Sequence, residues 1–315
     1  MSGHGRRAWG LHLAVIGLLL ALNWLLPAYH QGNLARIMVL ALYATGYNIL
    51  FGYAGLLSLG HAMLFASGMY AAGLGMRFLD LSPALAFAAG LAAGTVVAFA
   101  LGMLALRTIG VAFMIVTLMF AQAAYLTILQ FGTYTRGDEG FTIPQAERTL
   151  LGVDLTAPEP RYLAAWALLS VGILACLWLV RSRTGRVLVA IRENEERTRM
   201  LGYDVRRYKL AALTASGAYA GAAGAAYGIL FGTVGASFAT IQYSIEPLLF
   251  TLLGGAGTVL GPLLGSVAIF YLMEVARDVT AAYLIVVGFA LILLVLFARK
   301  GLLGTLRERA IAWLP

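Results

Sequence analysis

Residues 83–106 read PALAFAAGLAAGTVVAFALGMLAL, with no ionisable side chain anywhere along them. The hydrocarbon core of a bilayer is about 30 Å thick, and roughly 20 helical residues cross it. A helix apolar on every side has no face to offer water, so this stretch reads as a membrane span. Working outward from it, similar runs occupy 8–27, 34–51, 61–79, 109–131, 162–181, 209–232 and 281–298. A further apolar stretch, 245–276, is long enough for two crossings but is interrupted by Gly254, Gly255, Gly257, Gly261 and Pro262. The expected fold is an all-α polytopic membrane protein, one transmembrane domain over 1–315 with about 8–10 transmembrane helices.

Bulk composition agrees. Of 315 residues, 61% are hydrophobic and 11% charged, and the mean hydropathy is +0.86. Soluble domains carry roughly 25% charged residues; a water-soluble chain of this size could not cover so much apolar side chain. The 37 glycines suit helices that approach closely over small residues. A net charge of +8 could suggest a nucleic-acid partner. The basic residues, however, lie in short segments between apolar runs, as in the loops of a membrane protein, which argues against nucleic acid. The single cysteine, Cys176, lies in an apolar run and leaves no disulfide framework. Arg6 and Arg7 ahead of the apolar Ala8–Leu26 resemble a signal peptide. That run exceeds the usual ~7–15 residues and lacks a small-x-small site near Pro27–His30, so it reads as a retained first helix.

Charge sets the expected orientation, because cytoplasmic loops are enriched in Lys and Arg. The segment 181–209 holds Arg181, Arg183, Arg186, Arg192, Arg197, Arg199, Arg206, Arg207 and Lys209, and the tail adds Arg299, Lys300, Arg307 and Arg309. Placing this loop, between the sixth and seventh spans, in the cytoplasm puts both termini inside. The net acidic loop 132–161 then faces outward. The same parity requires that 245–276 cross twice or not at all: two crossings give ten helices, the preferred count, and a re-entrant hairpin gives eight.

The chain lacks the residues of common catalytic sites. A P-loop needs Gly-Lys-Ser/Thr, yet Lys209 follows Tyr208 and Lys300 follows Arg299. The histidines are His4, His12, His30 and His61, with no carboxylate or cysteine close by in sequence. The expectation is a non-enzyme with no cofactor of its own.

Within 181–209, Val187–Leu201 reads as one amphipathic helix. Glu193–Arg197 and Glu195–Arg199 are acid-before-base pairs at the stabilising i, i+4 spacing, and Gly202 stands where a helix end favours a left-handed residue. Leu188, Ile191 and Leu201 lie near one face. Such a helix suits docking onto a partner protein or lying among lipid headgroups.

Four segments extend the reading. GYNILFGYAGLLSLGHAMLFASGMYAAGL (Gly46–Leu74), GRVLVAIRENEERTRMLGYDVRRYKLAALTASGAYAGAAGAAYG (Gly185–Gly228), SIEPLLFTLLGGAGTVLGPLLGS (Ser244–Ser266) and RKGLLGTL (Arg299–Leu306) appear in order. They resemble the LivM-type permease subunits of branched-chain amino acid ABC transporters. The resemblance implies an importer in the bacterial inner membrane, working by alternating access. Its implied partners are a second, LivH-type permease subunit, two cytoplasmic ATPases that use ATP, and a periplasmic solute-binding protein. Members of this family also serve urea and short amides. Loop 181–209 is then the coupling segment, with Glu193, Glu195, Glu196, Arg197 and Gly202 facing the ATPases. The gap from Glu196 to Gly202 resembles the glutamate-to-glycine spacing of the importer coupling motif, with Arg197 and Thr198 in place of its two alanines.

The outer loop departs from the family's glycine pattern by reading Arg136, Gly137, Asp138, Glu139, Gly140. Arg136, Asp138 and Glu139 are candidates for docking a binding protein through charge; a solvated acidic loop is the other reading. Asn48, Ser58 and His61 flank the break Gly52–Gly55, and non-helical backbone at membrane depth lines a cavity or is buried in protein. They are candidates for the translocation pathway, as is Glu246 before Pro247, whose acid-proline pair also suits a plain helix start. A self-sufficient secondary transporter would usually show intramembrane carboxylates. Glu246 is the one plausible deep acid here, so that class ranks behind the ABC permease.

Overall fold

The computed structural model describes residues 3–150, 152–279 and 301–309, with 285, 288, 289 and 292 besides. Long helices dominate: α1 (Gly3–Leu25), α2 (Ala28–Asn48), α3 (His61–Leu79), α4 (Pro83–Ala105), α5 (Val111–Gln130), α7 (Pro158–Arg181) and α10 (Val205–Phe231). Between them lie a one-turn helix α6 (Gly132–Thr135) and two coupling-loop helices, α8 (Arg183–Glu193) and α9 (Glu195–Met200). Four two-residue strands follow the same order: β1 (Phe141–Thr142), β2 (Thr149–Leu150), β3 (Val153–Asp154) and β4 (Thr233–Val234). After these come α11 (Ile241–Gly254), α12 (Gly261–Val279) and α13 (Gly301–Arg309). The expected span 281–298 falls almost wholly outside the described residues.

Among the described residues, six helices are long and apolar enough to cross a bilayer: Arg7–Leu25, Ala28–Tyr53, His61–Leu79, Pro83–Ala105, Val111–Gln130 and Pro158–Arg181. They match the first six runs read from sequence. The span 209–232 corresponds to α10, which packs against α2, α3 and α4 rather than presenting a broad apolar surface.

Small residues make that packing possible. A Cβ at Gly217 would lie 2.1 Å from Ala98 Cβ, one at Gly68 2.2 Å from Gly221 O, and one at Gly94 2.6 Å from Gly217 O. Backbones of α3, α4 and α10 therefore touch directly, the arrangement by which membrane helices gain dispersion contacts. Outside this core, α4 and α5 turn large apolar side chains outward. Val96, Ile115, Met119 and Leu126 are all at least half exposed, as a lipid-facing surface requires. On another side, α7 holds α1 by Tyr162 Oη donating to Leu19 O (2.5 Å) and Trp166 Nε1 donating to Ile16 O (2.9 Å).

The stretch 245–276 is a pair of helices, α11 and α12, joined by a turn at residues 255–260. Their antiparallel contact is close: a Cβ at Gly254 would lie 1.8 Å from Gly261 O, and one at Gly265 1.8 Å from Phe250 O. With 14 residues α11 is about 21 Å long, short of a bilayer core. A 3-10 turn at Ala236–Ala239 carries the chain down to it, and Phe238 there packs on Phe65 and Tyr227. The 19-residue α12 runs back, and its Glu274 accepts hydrogen bonds from Tyr29 and Asn33 at the start of α2. Two helices therefore fill the stretch, one of them about two thirds of a bilayer core in length. Among the described residues, eight long helices thus make up the bundle, the six above with α10 and α12, and α11 makes a shorter ninth.

Candidate functional site

The basic loop is built from caps. Ser182 Oγ accepts from Gly185 N (3.2 Å) and starts α8. Val187 and Ile191 of α8 pack on Val205 and Tyr208 of α10, while Leu188 joins the main core. At Asn194 the backbone turns extended (φ −159°), and its side-chain oxygen accepts from Arg197 N at 2.8 Å to start α9. Tyr203 N then donates to Thr198 O (3.4 Å) and Gly202 takes φ +87°, closing α9 with a left-handed residue as expected.

The expected single helix Val187–Leu201 is thus two, because Asn194 satisfies the free N–H groups of a new helix better than it continues the old one. The break separates Glu193 from Arg197, so that pair does not form. Glu195 keeps Arg199 at 3.1 Å and gains Lys209 at 2.6 Å, and Glu196 meets Arg199 at 2.7 Å. Leu201 leaves the apolar stripe altogether, at 70% exposure. Glu193, Glu196, Arg197 and Gly202 are exposed.

This loop lies against the break after α2. The chain continues from Asn48 into a π-helical turn, Ile49–Tyr53, a form that often marks functional positions. Arg192 of α8 donates to Gly52 O on that turn. A groove of about 480 Å³ separates the two elements, bordered by Leu56, Val111, Asn194, Glu195 and Lys209.

Asn48, Ser58 and His61 all bond to protein groups, with His61 Nδ1 left buried without a partner among the described residues. Asn48 Nδ2 donates to Thr258 O (2.9 Å) and its Oδ1 accepts from Gly257 N (2.9 Å). Ser216 gives its one hydroxyl proton to Gly46 O (2.5 Å). His61 Nε2, 2.6 Å from the same hydroxyl oxygen, must therefore be the donor to it. Ser58 Oγ accepts from Gly60 N at 3.2 Å. All three residues are at most 2% exposed. They fasten the non-helical break to α10 and to the 255–260 turn. Glu246, in α11, is only partly buried and makes no hydrogen bond with any of the three.

At the opposite end, β1 pairs antiparallel with β4, joining the loop after α5 to the exit of α10. Gly140 permits this: at φ +66° its Cβ would lie 2.3 Å from Val234 O. The pairing frames a cavity of about 790 Å³ lined by Arg77, Arg136, Asp138, Glu139, Glu147 and Phe238. Arg77, whose guanidinium lies 5.1 Å from the Phe141 ring centre, and Glu147 escaped sequence reasoning; only an acid-rich loop facing a lone helix-end arginine hinted at them. Beside the cavity, Asp154 is held below the usual carboxylate range by hydrogen bonds from the Thr156 hydroxyl and amide and from Gln145.

A family model described as branched-chain amino acid transport system / permease component matches residues 31–296. The chain belongs to this family. The LivM permease protein of the high-affinity branched-chain amino acid transport system of Escherichia coli K12 is 29% identical over 304 residues, covering 86% of this chain and 69% of that protein. Its Salmonella typhimurium counterpart is 30% identical with the same coverage. The LivH permease protein of the S. typhimurium system is 25% identical over 288 residues, 84% of this chain and 91% of that protein. No solved structure matches the chain.

The permease therefore gathers its candidate residues at separate places. Glu195, Glu196 and Arg197 share α9 at the basic end; Asn48, Ser58 and His61 lie inside the bundle; Arg136, Asp138 and Glu139 line the cavity at the far end.

Proposed function

We propose that this permease is the LivM-type subunit of an ABC importer that carries branched-chain amino acids through the inner membrane. A LivH-type subunit would pair with it, two cytoplasmic ATPases would spend the ATP, and a periplasmic protein would deliver the solute. One observation carries the reading. The most charged segment, α8–α9, exposes Glu193, Glu196 and Arg197 while the neighbouring Arg192 grips the bundle at Gly52. A coupling segment needs that combination: free charges for a motor and a contact with the part to be moved. Charge supports placing α8–α9 and both termini in the cytoplasm. The acid-lined cavity at the far end, bounded by Arg136, Asp138 and Glu139, then faces the delivery protein, whose basic residues would dock there.

Reconstitution tests this. Proteoliposomes holding this chain with the second permease, ATPases and binding protein encoded beside it should take up radiolabelled leucine only with ATP. Glu196→Ala should cut uptake about tenfold or more with assembly intact, since the exposed Glu196 pairs, among the described residues, with Arg199 alone. Uptake by the chain alone, driven by an ion gradient, would defeat the reading in favour of a secondary transporter. Uptake of urea in place of leucine would keep the transporter class and replace the solute.

A further inference from the structure

The contacts of Arg192 go beyond what the ABC reading requires, although the inference drawn from them rests on that reading. Three glycines from two distant segments meet this one side chain. Its guanidinium donates to Gly52 O in the π-helical turn. A Cβ at Gly257 would lie 2.8 Å from its Nη1, and one at Gly55 would lie 3.1 Å from its Cγ. Gly55 and Gly257 both take positive φ, +72° and +78°, so the two turns present bare backbone to the arginine.

Behind this contact lies a second connection. Gly52 has no room for a side chain: its Cβ would lie 1.9 Å from Asn48 Oδ1 and 2.5 Å from Gly257 N. Asn48, one helical turn before Gly52, holds Gly257 and Thr258 by the two bonds already described. Gly301 of α13 sits on the same turn, where its Cβ would lie 2.6 Å from Gly255 N. The path from α8 to the membrane bundle is thus continuous: Arg192, the π-turn of α2, Asn48, and the α11–α12 turn.

We propose that Arg192 is the positioning residue of transport, the side chain through which displacement of the coupling segment reaches α2 and the α11–α12 pair. Two features favour it over other contacts of the loop. Apolar packing of Val187 and Ile191 on α10 is non-directional and tolerates sliding, whereas a guanidinium–carbonyl bond fixes direction. A π-helical turn also interrupts the regular α-helical ladder, a form often found at functional positions. The contact therefore joins the coupling segment to the irregular end of α2.

A purely stabilising role, capping the end of α2 against its dipole, is the competing account, and the test separates the two. The full complex is reconstituted with wild-type chain, Arg192→Ala, Arg192→Gln and Arg192→Lys. Leucine uptake and ATP hydrolysis are measured in the same proteoliposomes, together with melting temperature. The alanine and glutamine variants should assemble and hydrolyse ATP at rates within about twofold of wild type, yet lose roughly tenfold of uptake per ATP. Lysine, with a donor that can reach Gly52 O, should recover part of it. A cysteine placed at Leu57 beside the π-turn should change its labelling rate with ATP in wild type and not in Arg192→Ala. Unchanged uptake per ATP in the alanine variant overturns the inference. So does a parallel loss of hydrolysis, uptake and melting temperature without rescue by lysine, the signature of capping alone. Gly257→Ala, which pushes on the same guanidinium from the other side, provides an independent route to the uncoupled state. Absence of ATP-driven uptake in the wild-type assembly would instead sink the underlying ABC reading.

Discussion

Replacing Asn48 by alanine removes two buried hydrogen bonds and nothing else of consequence. Asn48 is completely buried, and both bonds, to Thr258 O and from Gly257 N, are 2.9 Å long. Gly257 N–H then loses its acceptor. Interhelical hydrogen bonds inside membranes average about 0.6 kcal/mol and reach roughly 1.7, so two of them are worth about 1–3 kcal/mol. At approximately 2–4 °C per kcal/mol for a chain of moderate size, the melting temperature should fall by about 2–12 °C. The protein carries its own probe: Cys176 is the sole cysteine and is fully buried. A thiol-reactive fluorophore therefore reports unfolding directly, in detergent, on heating. Thr95→Ala is the control, since the half-buried Thr95 bonds, among the described residues, back to Leu91 O on its own helix, and it should melt with wild type. If Asn48→Ala melts within about 1 °C of that control, Asn48 is not fastening α2 to the 255–260 turn. The account of the intramembrane polar residues as structural would then be wrong.

Three further outcomes follow from the same contacts. Gly217→Ala should destabilise by about 1–3 kcal/mol through overpacking against Ala98, and Ala98→Gly in the same chain should restore much of it, read as non-additive melting shifts. Asn194→Ala should cost about 1 kcal/mol through loss of the α9 cap and speed hydrogen exchange at residues 195–200, leaving α8 protected; equal acceleration in both helices would contradict the two-helix description. In inside-out and right-side-out vesicles, a cysteine at Thr149 should react with an impermeant maleimide only from the periplasmic side. One at Glu196 should react only from the cytoplasmic side; the reverse pattern would invert the topology.

Much of the bundle was legible because lipid imposes a simple rule. Lipid-exposed residues must be apolar, so runs such as 83–106 announce themselves, and helix edges fell within a few residues of Pro83, Leu79 and Arg181. Two kinds of feature were not legible. Asn194 carried a local signal, an Asn followed by two acids in a first helical turn, and it lost out to a good i, i+4 pattern continuing across it. The partners of Asn48 and His61 carried none, because they lie 210 and 155 positions away, and no local spacing encodes a contact of that range.

That second failure has a physical lesson for where the solute passes. Each departure from helix inside this bundle demands polar partners, since the bilayer offers no water to replace them. The break after α2 takes Asn48, Thr117 and His61; Thr117 Oγ1 accepts from Leu59 N (3.2 Å), and Ser244 Oγ accepts from Ala62 N (2.9 Å). Polar residues near such breaks are therefore first of all its structural complement, and their presence in an apolar run is poor evidence for a pathway. Glu246 differs. It lies one turn beyond Tyr243 on the short helix α11, partly exposed, beside a proline and outside the network that closes the breaks. Glu246→Gln should accordingly leave the melting temperature within about 1 °C of wild type while lowering leucine uptake. A drop in stability comparable to that of Asn48→Ala, with uptake per folded complex unchanged, would place Glu246 among the structural residues as well.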